Sequence, residues 1–416
     1  MSKRLQVIIS AYSCEPEKGS EQGVGWNWAL QVARYHDVII MTRAKRKPVI
    51  EAYREKHGIS NPRFEYVELP KWVLRLKKGN IGMNLYYFLW QIVSGIKAKK
   101  LVKKHKIDIA HHVSFMSLPR GTFVPFLGVK SVIGPIGGLQ TVPKAAIPLI
   151  RSKLSEKIRN LNVRLMAWNP LMQLLARKCD RLVLANGSNT DYLPKAFQDK
   201  MTVGLQLGTT DIISQKRDQT VDGKVIIHWS GRLVDHKGFD ILLLALAKLK
   251  REDPKLISNT RLIATAAGPL AQEYEAMIKD NNLEENVKIT GWLTQDELQK
   301  IWSKTDIFAF TSLRETTGMS LQEAMIRSKP LIVMNNGGPA EMVTNDCGFK
   351  IECDSLKQII EDYSAALKQL ITRGDLRSKM GEMARVRAIE HYTWNTVGDR
   401  MAEIYESLYN SNNLET

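Results

Sequence analysis

The sequence predicts an α/β protein built from two doubly wound parallel sheets, and three observations carry that prediction. The chain has 416 residues, more than one hydrophobic core normally supports, since single cores stop growing near ~250–300 residues. Short runs rich in Val and Ile alternate with longer amphipathic stretches, the pattern of parallel strands covered on both faces by helices. Charge divides the chain as well: residues 1–200 hold 34 Lys and Arg against 13 Asp and Glu, whereas residues 201–416 hold 26 against 30.

Candidate strands in the first half are Leu5–Tyr12, Asp37–Thr42, Arg63–Leu69, Ile107–Val113, Ser131–Ile136 and Arg181–Ala185. In the second half they are Lys224–Ser230, Arg261–Ala267, Val287–Thr290, Ile307–Thr311 and Leu331–Met334. Between the two sets, Gly208 to Gly223 is polar and without apolar periodicity, which places a linker at 208–222, a first domain at 1–207 and a second at 223–393. No repeat or low-complexity segment interrupts this plan. In open α/β sheets ligands bind beyond the carboxyl ends of the strands, so the chemistry is sought in the loops that follow strands, at a cleft between the two domains.

Composition removes several classes. With 44% hydrophobic and 25% charged residues, the chain is neither disordered nor collagen-like. Cys14, Cys179, Cys347 and Cys353 are too few and too scattered for a disulfide framework or a metal clip, which fits a reducing cytosol. The opening Met1-Ser-Lys-Arg and Leu5–Ser10 lack the apolar region and cleavage site of a signal peptide. The uncharged run Ile81–Ile96 spans only ~24 Å as a helix, short of a bilayer core. The net charge of +17 favours an anionic partner.

Four stretches carry candidate chemistry. After the strand ending at Ser230, Gly231-Arg-Leu-Val-Asp-His-Lys-Gly238 sets Arg232 and Lys237 at a strand-to-helix junction before a helix at Phe239–Lys250. Two cations beside a helix end suit a diphosphate, and solvated loop cations are the plainer reading. Further on, Glu315-Thr-Thr-Gly318-Met-Ser-Leu-Gln-Glu323 places two carboxylates eight positions apart. A helix starting near Thr316 would leave the amides of Thr317, Gly318 and Met319 open to anionic oxygen and separate the glutamates by roughly 12 Å, though helix-capping acids explain the same pair.

In the first half, the loop Ser13–Gly25 follows the first strand, precedes a helix bearing Trp26 and Trp28, and offers Gly23 near a phosphate or as a plain turn glycine. His111 and His112 close the strand Ile107–Val113 ahead of Ser114–Ser117, where the two-residue period lets only one of them face a cleft and a satisfied core histidine is the plainer reading. The turn Gly134-Pro-Ile-Gly-Gly138 follows the next strand and either admits a substrate close to the backbone or only reverses the chain. No Asp-x-Asp, His-x-x-x-His or clustered Cys/His set suggests a metal.

Strand–Ser-Gly-Arg-Leu-x-x-x-Lys-Gly, the later Glu-x7-Glu and a two-domain chain of this length together resemble the retaining GT-B glycosyltransferases of family 4, the glycosyl transferases group 1, over nearly the whole chain. The opening Ile9–Trp28, His-His-Val-Ser-Phe and Gly-Pro-Ile-Gly-Gly resemble a subgroup of them. Departures are Thr317-Gly318 where the family commonly has Phe-Gly, and Ala266-Ala-Gly-Pro269 for its Gly-x-Gly-Pro turn.

The resemblance implies a GT-B fold of two Rossmann-like doubly wound domains facing an inter-domain cleft, with a terminal helix, 394–416, packing back on the first. It implies Arg232 and Lys237 on the donor diphosphate, Glu315 on the transferred sugar, Glu323 on the ribose, Gly23 or a neighbour near the diphosphate, and His111 or His112 near the reacting carbon. The implied activity is retaining transfer of a hexosyl group from a nucleotide-diphosphate sugar, with no cofactor, to a lipid-linked or polysaccharide acceptor; no metal is expected, because Arg232, Lys237 and helix amides can stabilise the leaving diphosphate instead.

Lys71–Lys78, Leu85–Trp90 and Lys97–Lys106 interleave aromatic residues with lysines, and Lys144–Arg164 adds a second basic region. These predict peripheral docking of a cytoplasmic protein on the anionic inner membrane face, the alternative being a core helix with a basic end. A nucleic-acid binder lacks any recognisable module here, and the nearer rivals are a GT-B epimerase or phosphorylase.

Overall fold

The computed structural model describes residues 3–74, 79–114, 118–204, 207–210 and 223–411. Most of the expected linker, 211–222, and the stretches 75–78, 115–117 and 412–416 of the expected basic, strand-end and terminal segments lie outside the described residues. The chain divides into two units. The first comprises 1–139, 162–208 and 394–416, and the second 140–161 and 209–393.

In the first unit seven parallel strands run in the order β3-β2-β1-β4-β5-β6-β7. They are β1 (Gln6–Ser10), β2 (Asp37–Arg43), β3 (Arg63–Val67), β4 (Ile109–His112), β5 (Lys130–Ile136), β6 (Arg181–Leu184) and β7 (Met201–Val203). The Val/Ile runs form the central strands because both faces are covered: Val7, Ile8 and Ile9 are all buried, as are Ile109 and Ala110. One face packs Trp28, Val32, Met401 and Tyr405, drawn from helices Ser20–Tyr35 and Trp394–Asn410. The other packs Tyr86, Tyr87 and Trp90 from helix Gly79–His105.

In the second unit six parallel strands run β10-β9-β8-β11-β12-β13. They are β8 (Val225–Arg232), β9 (Thr260–Ala267), β10 (Val287–Ile289), β11 (Ile307–Phe310), β12 (Leu331–Met334) and β13 (Gly348–Ile351). β8 is central, paired with β9 along its whole length and with β11 through Ile307 and Phe308. The loops after β8 and β11 therefore leave the same edge of the sheet side by side, the place where doubly wound sheets bind ligands.

The expected first domain of 1–207 differs from this division in one respect. Residues 140–161 pack with the second unit. Val142, Ala146 and Ile150 join the core that contains Leu242 and Leu246, and Arg151 is ion-paired with Asp240 at 2.7 Å and Glu273 at 2.6 Å.

Candidate active site

The loop after β8 is built to hold Lys237 in place. Its short turn Asp235–Lys237 ends at Gly238, whose φ of +64° is left-handed. A Cβ there would lie 2.4 Å from the Thr311 carbonyl oxygen, so only glycine lets the turn approach the end of β11 this closely. Trp229 Nε1 donates to Thr311 Oγ1, which donates to the Lys237 carbonyl, each at 2.9 Å. The Leu313 amide donates to the His236 carbonyl at 2.8 Å. Backbone and side chain thus stitch the two loops together.

Lys237 Nζ emerges from this stitch to form an ion pair with the Glu315 carboxylate, both side chains being mostly buried. It also lies 5.9 Å from the Phe310 ring centre. Phe310 in turn abuts Gly318, the cap of helix Met319–Ile326, where an added Cβ would meet its ring at 3.0 Å. The helix therefore starts at Met319, not near Thr316, because Gly318 has a φ of +91°. The spacing of Glu315 and Glu323 is consequently not set by helical rise alone. Thr317 is buried, Met319 is exposed, and the first amides of this helix have no acceptor within it.

Arg232 ends β8 as an exposed residue. Glu323 sits within the helix, where burial pushes its carboxyl above the usual range against the opposing pull of Arg327 and Trp302. Burial, and then the charges of Arg314 and Lys237, push the neighbouring His236 down to about 4, so it is neutral at physiological pH. The loop cations and Glu315 thus lie at the carboxyl ends of β8 and β11, with Glu323 in the helix that directly follows β11.

In the first unit one placement differs from the expectation. Gly23 lies inside helix Ser20–Tyr35, and the position its Cβ would take is 1.9 Å from the Lys18 carbonyl oxygen. Its lack of a side chain is explained by packing of the helix on the preceding loop. Gly25 does the same against Ser13, at 2.1 Å. Glu15 in that loop is buried and ion-paired with Arg46.

His111 is a core histidine. Its Nε2 donates to the Gly134 carbonyl at 2.8 Å and its Nδ1 accepts from the Tyr405 hydroxyl at 2.7 Å, so both nitrogens are used and the ring is neutral. Burial pushes its pKa down to about 3. His112 points to the other face, with Nε2 3.4 Å from the Tyr87 hydroxyl and a buried Nδ1 that has no hydrogen-bond partner among the described residues. Burial lowers it to about 4. Of the pair, His112 is the one with a nitrogen left to offer. No group of three or more His, Cys, Asp or Glu able to hold a metal occurs among the described residues.

Sequence reasoning missed the surroundings of Glu315. Gln140, Glu156 and the Asn336-Gly337-Gly338 turn all contact the loop that carries it. Asn336 Nδ2 donates to the Leu313 carbonyl at 2.7 Å, and the Gly338 amide donates to the Glu315 carbonyl at 3.1 Å. The Asn-Gly-Gly string itself was the only local signal available.

Comparison with known proteins places these features in context. Residues 211–387 match the family described as Glycosyl transferases group 1. The chain is 30% identical over 282 residues to a 2-deoxystreptamine N-acetyl-D-glucosaminyltransferase of Niallia circulans, covering 66% of this chain and 64% of that one. It is 24% identical over 225 residues to a GDP-mannose-dependent monoacylated alpha-(1-6)-phosphatidylinositol monomannoside mannosyltransferase of Corynebacterium glutamicum, covering 52% and 53%. The chain spans about half the length of the curated relatives it matches. The crystal structure of Anabaena Alr3699/HepE in complex with UDP aligns over 97% of this chain and 100% of its own, with a TM-score of 0.62 at 16% identity, a likeness of fold.

Proposed function

We propose that this chain, whose residues 211–387 match the glycosyl transferases group 1 family, is a glycosyltransferase of that kind and moves a hexosyl group from a nucleotide-diphosphate sugar to a lipid-linked or polysaccharide acceptor, with retention and without a metal. Its two Rossmann-like parallel sheets are the GT-B fold. The observation that carries the reading is the meeting of Lys237 with Glu315 at the carboxyl edge of β8 and β11.

Arg232 and Lys237 neutralise the diphosphate as it leaves, together with the first amides of helix Met319–Ile326. Lys237 exchanges its carboxylate partner for phosphate oxygen, which frees Glu315 to accept hydrogen bonds from the sugar hydroxyls. Glu323 takes the ribose hydroxyls. With the leaving group held, the acceptor hydroxyl attacks the same face of an oxocarbenium-like sugar and passes its proton to the departing diphosphate oxygen, and no side-chain nucleophile is needed. Of the strand-end pair, His112 is the candidate catalytic residue, since its buried Nδ1 has no hydrogen-bond partner among the described residues.

The acceptor reading draws on the surface of the first unit. On helix Gly79–His105, Leu85, Phe88, Ile92 and Ile96 recur at three- or four-residue spacing and are 46–60% exposed. Exposed Lys99, Lys100, Lys103 and Lys104 follow on the same helix. An apolar stripe running into a lysine cluster suits an anionic membrane surface, with apolar side chains in the interface and ammonium groups at the phosphates. No helix among the described residues is long and apolar enough to cross a membrane. The Corynebacterium relative acts on a phosphatidylinositol mannoside, and four free cysteines suit a cytoplasmic face.

Incubation with a sugar nucleotide and an acceptor, followed by NMR of the product anomer, tests the reading. It predicts a new glycoside with the anomeric configuration of the donor. An epimerised donor or a sugar phosphate in its place would refute it.

A further inference from the structure

Residues 140–161, which come from the first half of the sequence, are strapped across both loops that carry the candidate site. Thr316 Oγ1 donates to Gln140 Oε1 at 2.9 Å, and Arg314 is ion-paired with Glu156. The residues on either side of Glu315 are therefore each gripped by this segment. Glu156 is only 8% exposed at its side chain and has Arg159 3.8 Å from its other oxygen. Arg159 Nη1 donates to the Gln140 carbonyl at 2.8 Å, closing the ring of contacts back to the residue that holds Thr316.

The same segment reaches the Lys237 turn. The Arg151 amide donates to Asp235 Oδ2 at 2.8 Å, and its guanidinium binds Asp240 in the first turn of the next helix. That guanidinium also sits 5.6 Å over the Tyr274 ring, while Tyr274 donates to Asp240 at 2.9 Å. None of these contacts involves the carboxylate of Glu315 or the ammonium of Lys237, so the strap fixes the two loops and leaves both groups available to ligand.

A carboxylate buried between two guanidinium groups is not an economical source of stability, because desolvation offsets most of the attraction. It does fix geometry. We propose that Gln140 and Glu156 are positioning residues for Glu315, and Arg151 for Lys237: the strap sets the separation of carboxylate and ammonium, and with it the alignment of sugar against diphosphate. This deepens the glycosyl-transfer reading and rests on it.

The test uses the full chain with Glu156→Gln, Gln140→Ala, Thr316→Val, the charge exchange Glu156→Arg with Arg314→Glu, and Glu315→Gln as the control. Calorimetry with UDP and GDP measures affinity for the diphosphate alone, and steady-state kinetics separates kcat from KM. A sub-ångström shift of a positioned group costs roughly tenfold to a hundredfold in rate. The expected result is a kcat lowered by that factor in the single variants, nucleotide affinity within about twofold of wild type, and substantial recovery in the charge exchange. Thr316→Val exchanges only the hydroxyl for a methyl group of similar size, so it reports on the strap even if Glu156→Gln fails to fold. Wild-type kcat in folded Glu156→Gln or Thr316→Val, or loss of nucleotide affinity in step with rate, would overturn the proposal. Full turnover by Glu315→Gln would instead bring down the site reading beneath it.

Discussion

Lys237 and Glu315, 78 positions apart in sequence, neutralise one another at the edge of the second sheet, with side-chain exposures of 24% and 19%. On the proposed reading, a sugar nucleotide would satisfy each of them in place of the other. The pair keeps two charges compensated in a half-buried site, and the proposed donor would replace it by offering phosphate to one and hydroxyls to the other.

From that relationship, Lys237→Ala and Glu323→Ala are expected to fold and to lose turnover. For Lys237, removing one stabiliser of a developing charge costs on the order of 10²–10³ in rate, ~3–4 kcal/mol; for Glu323 the loss comes through the ribose contacts. Initial rates beside thermal unfolding curves check this, and full turnover by either variant would remove its residue from the site.

Acid should unfold the protein over a defined window. His111 and His228 are held near 3, and His112 and His236 near 4, chiefly by burial. In the unfolded chain each takes up a proton below about 6.5, so between that pH and the folded values the unfolded state binds more protons and is drawn out by acid. Stability is expected to be fully present above about pH 6.5 and to fall progressively toward pH 4. Denaturant midpoints across this range measure it, and a flat profile would contradict the burial of these rings.

Two glycines should be intolerant of even one methyl group. Gly238→Ala would force a left-handed φ and set Cβ 2.4 Å from the Thr311 carbonyl oxygen, and Gly338→Ala would set it 2.0 Å from that of Thr316. The backbone must shift in each case, at a cost of roughly 1–3 kcal/mol, and the loops of Lys237 and Glu315 shift with it. Chemical denaturation should show the loss of stability and activity should fall with it; Gly58→Ala, at a φ of +63° with no atom within 4 Å, is the control for strain alone.

Vesicle flotation addresses the apolar stripe. Binding to anionic vesicles is expected at low salt, weakening at high salt, with each lysine contributing ~1 kcal/mol. Replacing Phe88 and Ile92 by Gln should abolish flotation without affecting the fold, since both side chains are exposed. Equal flotation by the variant would show that this face does not meet lipid.

Much of the architecture was legible in the sequence because buried parallel strands are continuous Val/Ile runs, as at Val225–Ile227 and Leu331–Met334. The strands not anticipated, Met201–Val203 and Gly348–Ile351, lie at sheet edges, where one side needs no partner and the apolar run is short. Arg232, Lys237 and Glu315 could be proposed from local order since the first ends a strand and the other two lie in loops that follow one. The start of the helix at Met319 could not, because it depends on a backbone angle at Gly318 that several helix-entry geometries would satisfy. His111 and His112 are indistinguishable in sequence; Tyr405, 294 positions away, decides which is structural. The strap was equally hidden, since Gln140 meets Thr316 across 176 positions and no local periodicity records such a contact.

A thermal-shift series with UDP-, GDP-, ADP- and dTDP-sugars on wild type and Lys237→Ala tests the donor site most directly. Stabilisation grows as RT ln(1 + [L]/Kd), so at millimolar ligand one nucleotide should raise the wild-type midpoint clearly while leaving Lys237→Ala nearly unmoved. An equal rise in both proteins, or no rise with any of the four, would contradict the assignment of the β8 and β11 loops to a sugar nucleotide.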